Sequence, residues 1–213
     1  MKEYDFEPIR GLPEQLPPGE ELLWQGAPRW NVLARRVFHV RKIAVYFLLL
    51  AVLLAFGWAE QGGIAAVVQG SLWIALLAVL AIGALALLAW GMARTTVYTI
   101  TSRRVVMRIG VALPMMMNLP FAQIRSADLR RYADGCGDIP LLLAESARPS
   151  YVLFWPHVRP WTFSPPRPML RSIPDVDRIA GILADALKAF AESGEAQDAA
   201  SDSEAESSPA AAS

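Results

Sequence analysis

The chain has 213 residues, 54% of them hydrophobic, and its 20 lysines and arginines balance its 20 acidic residues. An apolar content this high exceeds that of an ordinary soluble protein of the same length and predicts a membrane component. Because Cys136 is the single cysteine, an internal disulfide is excluded and a zinc site is not expected.

Residues 1–42 form an N-terminal segment that precedes the apolar part of the chain. Within it, residues 20–30 (EELLWQGAPRW) follow a proline-rich turn and have the composition of a β-strand. We expect this stretch to supply the first strand of a cytoplasmic domain whose other strands come later in the sequence.

Two uncharged apolar runs follow, at about residues 43–59 and 72–93. At about 1.5 Å per helical residue, each run can cross most or all of a hydrocarbon core about 30 Å thick. Residues 43–93 are therefore predicted to form a two-helix transmembrane hairpin. Neither run contains Asp, Glu, Lys, Arg or His, which disfavours a channel or a pump.

The distribution of positive charge predicts the orientation of this hairpin. Arginine and lysine flank its two outer ends, whereas residues 60–70, between the runs, contain neither. By the positive-inside rule, both termini should lie in the cytoplasm.

Residues 94–191 are predicted to form the main part of a β-domain. Residues 95–109 are rich in β-branched side chains around one polar turn, which indicates a β-hairpin. From about Asp175, apolar side chains recur at three- and four-residue intervals behind Pro174, which predicts an amphipathic helix packed on the sheet. Further strands are expected within residues 115–132, 139–144 and 151–155, with a turn at 135–137.

The last segment, residues 192–213, contains six acidic side chains and no lysine, arginine or large apolar residue. It cannot bury enough apolar surface to offset the entropy of ordering, so we expect a disordered acidic tail.

The order of these motifs resembles that of the bacterial pleckstrin-homology-like (PH-like) membrane proteins: LWQGAP at 23–28, a hairpin, VYTITSRRVV at 97–106, and GCGDI at 135–139 before a closing helix. The stretches GLPEQLPPGEELLWQGAP, RRVVMRIGVALPMMMNLPFAQI, WPHVRPW and PMLRSIPD are similar to those of the photosynthetic reaction-centre assembly proteins of purple bacteria. The resemblance implies an α+β membrane protein, in which a transmembrane hairpin is inserted in a cytoplasmic PH-like β-domain closed by a C-terminal helix.

The same resemblance implies a non-enzymatic assembly factor for the reaction centre and its light-harvesting ring. The chain would be a multi-pass protein of the bacterial cytoplasmic membrane, either inner or intracytoplasmic. Its partners would be reaction-centre subunits, light-harvesting subunits and membrane lipids, and a homodimer stays open. Nucleic acid is not expected, because the basic residues flank the membrane spans. Catalysis is not expected either, since the sequence has no GxSxG, P-loop, GxGxxG or HExxH motif.

Two alternatives remain open at this point. The chain could be a membrane-tethered carrier of lipid or bacteriochlorophyll, with His39 as a magnesium ligand through its neutral imidazole. His39 could equally be an interfacial histidine with no ligand. Lipid headgroups could be bound by arginines after the second apolar run, namely Arg103, Arg104 and Arg108.

The stretch WPHVRPW, residues 155–161, is the strongest candidate for a docking site. Its prolines prevent a central strand, and Trp and Arg are enriched at the energetic centres of interfaces. The alternative is a loop that only covers the core. A run of three methionines is a second candidate, because a strand must expose at least one of them. The predicted partner-binding residues are Trp155, His157, Arg159, Trp161, Arg167, Arg171, Met115, Met116 and Met117.

Overall fold

The computed structural model describes residue 12 and residues 15–111, 114–144, 155–160, 162 and 166–207, with side chains described as far as residue 194. The elements in chain order are β1 (Leu22–Gly26), α1 (Trp30–Arg36), α2 (Val40–Thr95), β2 (Val97–Thr101), β3 (Arg104–Ile109), β4 (Met115–Pro120), a 3₁₀ turn (Phe121–Gln123), β5 (Ile124–Ala127), β6 (Arg130–Arg131), β7 (Gly137–Leu143), β8 (Met169–Ile173) and α3 (Val176–Ser207).

The strands form two antiparallel sheets. The first has the order β1-β2-β3-β4, and in the second β7 pairs with β5, β6 and β8. The expectation that the N-terminal segment supplies the first strand is confirmed, because β1 pairs with β2 and places Gly26 opposite Tyr98. Helices α1 and α2 therefore occupy the connection between two neighbouring strands.

The hydrophobic core lies between the sheets and beneath α3. Tyr98 and Ile100 of β2 and Ile139 and Leu141 of β7 are fully buried in it. Complete burial of a large aliphatic side chain stabilises a fold by about 1.5–3 kcal/mol. The helical periodicity of α3 brings one face onto this core, through Val176, Ile179, Leu183 and Ala186.

Helix α2 is interrupted at Gly62 and Gly63, whose φ angles are −152° and +61°. A side chain on Gly70 would lie 2.5 Å from the ring of Trp58, so the indole packs directly on this glycine. In a straight helix the two residues would be about 18 Å apart along the axis. The segments before and after the break therefore lie side by side.

The two ends of α2 meet against α1. Phe38, which precedes α2, is buried together with Ala89 near its end, and the cluster also holds Leu33, Ala34, Val40, Leu85 and Met92. Helix α1 also touches the second sheet, because the guanidinium of Arg36 lies 4.6 Å from the ring centre of Tyr132. The helical insertion is thus fixed to the β-domain at both of its ends.

Among the residues that the structure describes, α2 is the one helix long and apolar enough to cross a membrane, and 6% of its most apolar 18-residue window is buried. Its most exposed side chains are large and apolar, among them Phe56, Leu53 and Val79. Its half-buried positions include many alanines, namely Ala51, Ala55, Ala78, Ala81 and Ala86. A helix on the surface of a soluble protein instead buries its large apolar side chains and exposes polar ones.

Three features differ from the sequence predictions. Helix α1 and strand β8 have no counterpart among these predictions. Helix α3 runs to Ser207, so the backbone of residues 192–207 is helical, whereas a disordered tail was expected. This segment is rich in alanine and glutamate, which favour helix over other backbone conformations. Of the strand expected at residues 151–155, only Trp155 lies within the described residues.

Candidate docking site at residues 155–160

Residues 155–160, termed the docking loop, are ordered by backbone hydrogen bonds to the segment before β8. The carbonyl of His157 accepts a hydrogen bond from Met169 N–H (2.8 Å), and Arg159 N–H donates to the carbonyl of Arg167 (2.9 Å). Proline at positions 156 and 160 has no N–H to donate, which limits the pairing to this one side. The prediction of an ordered loop rather than a central strand is therefore confirmed for residues 155–160.

His157 is buried at the centre of this loop, with 2% of its surface exposed. Its Nδ1 lies 2.6 Å from the hydroxyl oxygen of Tyr98, and its Nε2 lies 3.4 Å from Oγ1 of Thr96. The Tyr98 oxygen also accepts a hydrogen bond from Arg171 N–H (3.2 Å). The other partner of Tyr98 is an N–H donor, so we assign its hydroxyl proton to a hydrogen bond with Nδ1, which places the imidazole proton on Nε2, facing Thr96.

Burial and the charge of Arg171 lower the pKa of His157 to about 3. Burial also raises the pKa of Tyr98 well above its usual value. Both groups are consequently neutral at physiological pH. Because both ring nitrogens of His157 face protein hydroxyls, this histidine fastens the loop to the start of β2.

Trp155 connects the same loop to the other end of α2. Its ring is 51% exposed and meets Phe38 edge-to-face, with 6.0 Å between ring centres. Phe38 lies two residues before α2 begins, whereas Thr96, the contact of His157, directly follows its last residue. The docking loop therefore contacts the chain at both ends of the helical insertion.

A second buried polar cluster surrounds Asp138, next to the docking loop in the second sheet. Asp138 accepts hydrogen bonds from the Tyr132 hydroxyl and from Ser172 N–H, the latter at 2.9 Å. Burial and this carboxylate raise the pKa of Tyr132. The sequence gives no local signal for this cluster, since Asp138 and Ser172 alone are 34 positions apart.

Cys136 is fully buried, and Arg29 Nη1 lies 3.8 Å from its sulfur. Burial and the charge of Asp134 raise the pKa of the thiol. A buried thiol with a raised pKa is unreactive, so Cys136 is a packing residue.

Not every predicted docking residue can contact a partner directly. Trp155 and Arg159 are exposed, and Arg159 Nη1 lies 4.0 Å from a carboxylate oxygen of Asp128. Arg167 is half-buried, and Trp161 lies outside the described residues. His157 and Arg171, at 2% and 7% exposure, are removed from the predicted surface. His157 is held inside by its contacts with Tyr98 and Thr96, and Arg171 lies in β8, whose five residues are all buried.

The three methionines of β4 face different surroundings. Met117 is buried opposite Met107, and Met115 packs partly against the core. Met116 is 41% exposed and lies opposite Arg108. Strand alternation thus leaves Met116 as the methionine available for an external contact.

The arginines after α2 separate into two groups. Strand β2 leaves α2, and β3 returns toward it, so that Arg108 lies opposite Val97 at the near end. Arg103 and Arg104 lie at the far end, where Nε and Nη2 of Arg104 donate to the two carboxylate oxygens of Glu20 (2.7 and 2.8 Å). Of the three arginines considered for headgroup binding, only Arg108 is close to α2.

His39, the candidate pigment ligand, is exposed and precedes α2 with a left-handed backbone, φ 53°. Within the described part of the chain, no group of three or more His, Cys, Asp or Glu side chains could hold a metal ion.

Two antiparallel sheets closed by a C-terminal helix, with a helical insertion between the first two strands, define a PH-like domain. Residues 38–187 match the family model described as Bacterial PH domain, and the chain belongs to that family. A Rhodobacter capsulatus protein described as "Uncharacterized 23.7 kDa protein in puhA 5'region" is 40% identical over 189 residues, which cover 88% of each chain. No solved structure matches the chain.

Proposed function

We propose that this chain is a membrane-anchored, non-enzymatic assembly factor for the photosynthetic reaction centre and its light-harvesting ring. The observation that carries the proposal is the Rhodobacter capsulatus relative, which is described by its position 5′ of puhA, a reaction-centre gene. The two chains match over most of their length, so we extend the association with reaction-centre genes to this protein.

The proposed anchor is a transmembrane hairpin made by α2. Three observations support it: the break at Gly62 and Gly63, the contact of Trp58 with Gly70, and the clustering of both helix ends around Phe38. The large apolar side chains outside and the alanines between the segments suit a lipid environment, where small residues allow close helix approach.

The proposed orientation places both termini and the β-domain in the cytoplasm. Arg41 and Lys42 at the first end of α2 and Arg94 at the second fit the positive-inside rule. The chain would then be a multi-pass protein of the inner or intracytoplasmic membrane, with its PH-like domain held against the cytoplasmic surface.

The proposed docking surface consists of Trp155 and Arg159, with Arg167 at its edge. The hydrogen bonds of His157 hold the loop in one conformation, which lowers the entropy lost on binding. Its contacts with both ends of α2 keep the exposed ring of Trp155 near the membrane, where newly inserted reaction-centre and light-harvesting subunits are found. Because both ring nitrogens of the buried His157 are occupied by Tyr98 and Thr96, we assign the loop to docking rather than to catalysis.

Site-specific photocrosslinking tests this assignment in cells that make reaction centres. A photoreactive amino acid replaces Trp155 or Arg159 in the full-length chain. Arg131 provides the matched control, since it too is an exposed arginine paired with an aspartate, Asp177. Illumination should join positions 155 and 159, and not 131, to a reaction-centre or light-harvesting subunit recognised by its antibody. The absence of such adducts at both positions, with the chain at its normal level in the membrane, would refute the proposal.

A further inference from the structure

The β3–β4 hairpin ends beside the point where the chain leaves α2. Arg108 near the end of β3 lies opposite Val97, two residues after the helix, and opposite Met116 on the other side. Val111, which follows β3 and Gly110, contacts α2. Its Cγ1 lies 3.7 Å from the position that a Cβ would occupy on Gly91.

Gly91 marks a definite depth along α2. It lies four residues before the helix end at Thr95, which is about 6 Å of helical rise. Its neighbour Trp90 packs under Arg94, with 5.2 Å between the guanidinium carbon and the ring centre. A tryptophan paired with an arginine at a helix end is typical of the headgroup layer of a bilayer. Val111 therefore lies at the level of that layer.

The exposed side chains at this hairpin end suit a phospholipid surface. Val111 is 46% exposed and Met116 is 41% exposed, although both are apolar. The charged residues in this part of the sequence are all basic, since residues 61–127 include Arg94 and Arg108 but no Asp or Glu. Apolar side chains beside arginines bind the boundary between acyl chains and anionic headgroups.

We infer that the β3–β4 hairpin end, formed by Arg108, Val111 and Met116, is a second membrane-contact element that binds the headgroup layer of anionic phospholipids. The inference rests on the membrane insertion of α2 in the proposed function. Contact at this end fixes the tilt of the β-domain and with it the height of the docking loop above the bilayer.

Depth-dependent fluorescence quenching tests the contact in the full-length chain in nanodiscs that contain spin-labelled lipid. A bimane probe is attached to the thiol introduced by Met116→Cys. The native Cys136 is fully buried and thus protected from labelling. Leu22→Cys is the matched control: Leu22 has the same exposure, 41%, and lies in the same sheet opposite Thr101, at the end far from α2. Leu80→Cys reports whether α2 is inserted.

A probe at position 116 should be quenched by a shallow spin label at least about two-fold more than a probe at position 22. The quenching should also increase by at least about two-fold when phosphatidylglycerol replaces part of the phosphatidylcholine. If position 80 is quenched by a deep label while position 116 behaves like position 22, the hairpin contact is refuted and the anchor stands. If a probe at position 80 is not quenched by the deep label, both the membrane anchor and the hairpin contact are refuted. Equal quenching at position 116 in neutral and anionic nanodiscs would refute the anionic preference.

Discussion

The hydroxyl of Tyr98 and Nδ1 of His157 are joined by a buried hydrogen bond of 2.6 Å. Tyr98 belongs to the strand that leaves α2, whereas His157 lies at the centre of the docking loop, 59 positions later. This bond therefore connects the end of the helical insertion with the surface proposed to bind reaction-centre subunits.

Tyr98→Phe should lower the free energy of unfolding by about 1–3 kcal/mol, because it leaves Nδ1 of His157 and the N–H of Arg171 buried without their partner. Thermal unfolding of the full chain in detergent measures the loss. Tyr46→Phe is the control, since Tyr46 is 60% exposed on α2 and should change stability by less than about 0.5 kcal/mol. Equal effects of the two substitutions would show that the buried bond contributes nothing.

Folding stability should fall as the pH is lowered from about 7 to 5. The unfolded chain protonates His157 with a pKa near 6.5, whereas burial lowers the pKa in the folded chain to about 3. As the pH falls, the unfolded state therefore binds this proton before the folded state does. The contribution of the neutral, buried His157 to the free energy of unfolding is fully present only above about pH 6.5. The slope should approach about 1.4 kcal/mol per pH unit below that value.

Urea unfolding at a series of pH values measures this slope. His157→Gln should flatten it, because glutamine cannot take up the proton. His39→Gln is the control, because it replaces the other histidine of the chain, which is exposed. A wild-type slope retained in the His157 variant would mean that another group is responsible.

Gly70→Ala should destabilise the side-by-side packing within α2. The added methyl carbon would lie 2.5 Å from ring atoms of Trp58. The resulting strain should lower the free energy of unfolding by about 1–3 kcal/mol. Gly83→Ala is the matched control in the same helix, because a side chain there meets no atom within 4 Å. It should be neutral or stabilising by up to about 1 kcal/mol. The detergent melting temperatures of the two variants should differ in this order, and Trp58→Ala should relieve the strain of Gly70→Ala.

Arg104→Gln should cost about 3 kcal/mol, because it leaves the carboxylate of Glu20 without its cation although only 3% of that side chain is exposed. Burial raises the pKa of Glu20, but hydrogen bonds from Arg104 and Thr101 and the neighbouring charges lower it by more. Arg103→Gln, at the exposed neighbouring position, should change urea unfolding by less than about 0.5 kcal/mol. Similar losses in both variants would contradict a specific role for the pair.

The features that the sequence predicts well are set by local patterns. The β2–β3 hairpin follows from β-branched residues around Ser102, and α3 follows from the apolar repeat after Pro174. The pairing of β1 with β2 across α2 was also predictable, since a strand-like stretch before the insertion needs a partner beyond it. Strand β8 was not, because it is short, flanked by Pro168 and Pro174, and defined by its distant partner β7.

The candidate site was predicted only in part, for a similar reason. The tryptophan and arginine content of the docking loop favoured an exposed surface, which holds for Trp155 and Arg159. The burial of His157 depends on Tyr98, and no local signal reveals a hydrogen bond over that separation. The different positions of Arg104 and Arg108 likewise depend on the register of the strands, which cannot be read from the sequence.

Reaction-centre abundance in cells that lack this chain tests the proposed assembly role most directly. Membranes of a deletion strain should contain several-fold less reaction centre, measured by light-induced bleaching of the special pair per unit of membrane protein, and a full-length copy of the gene should restore the level. Normal reaction-centre abundance with normal absorption of the surrounding ring in the deletion strain would contradict a role in assembly.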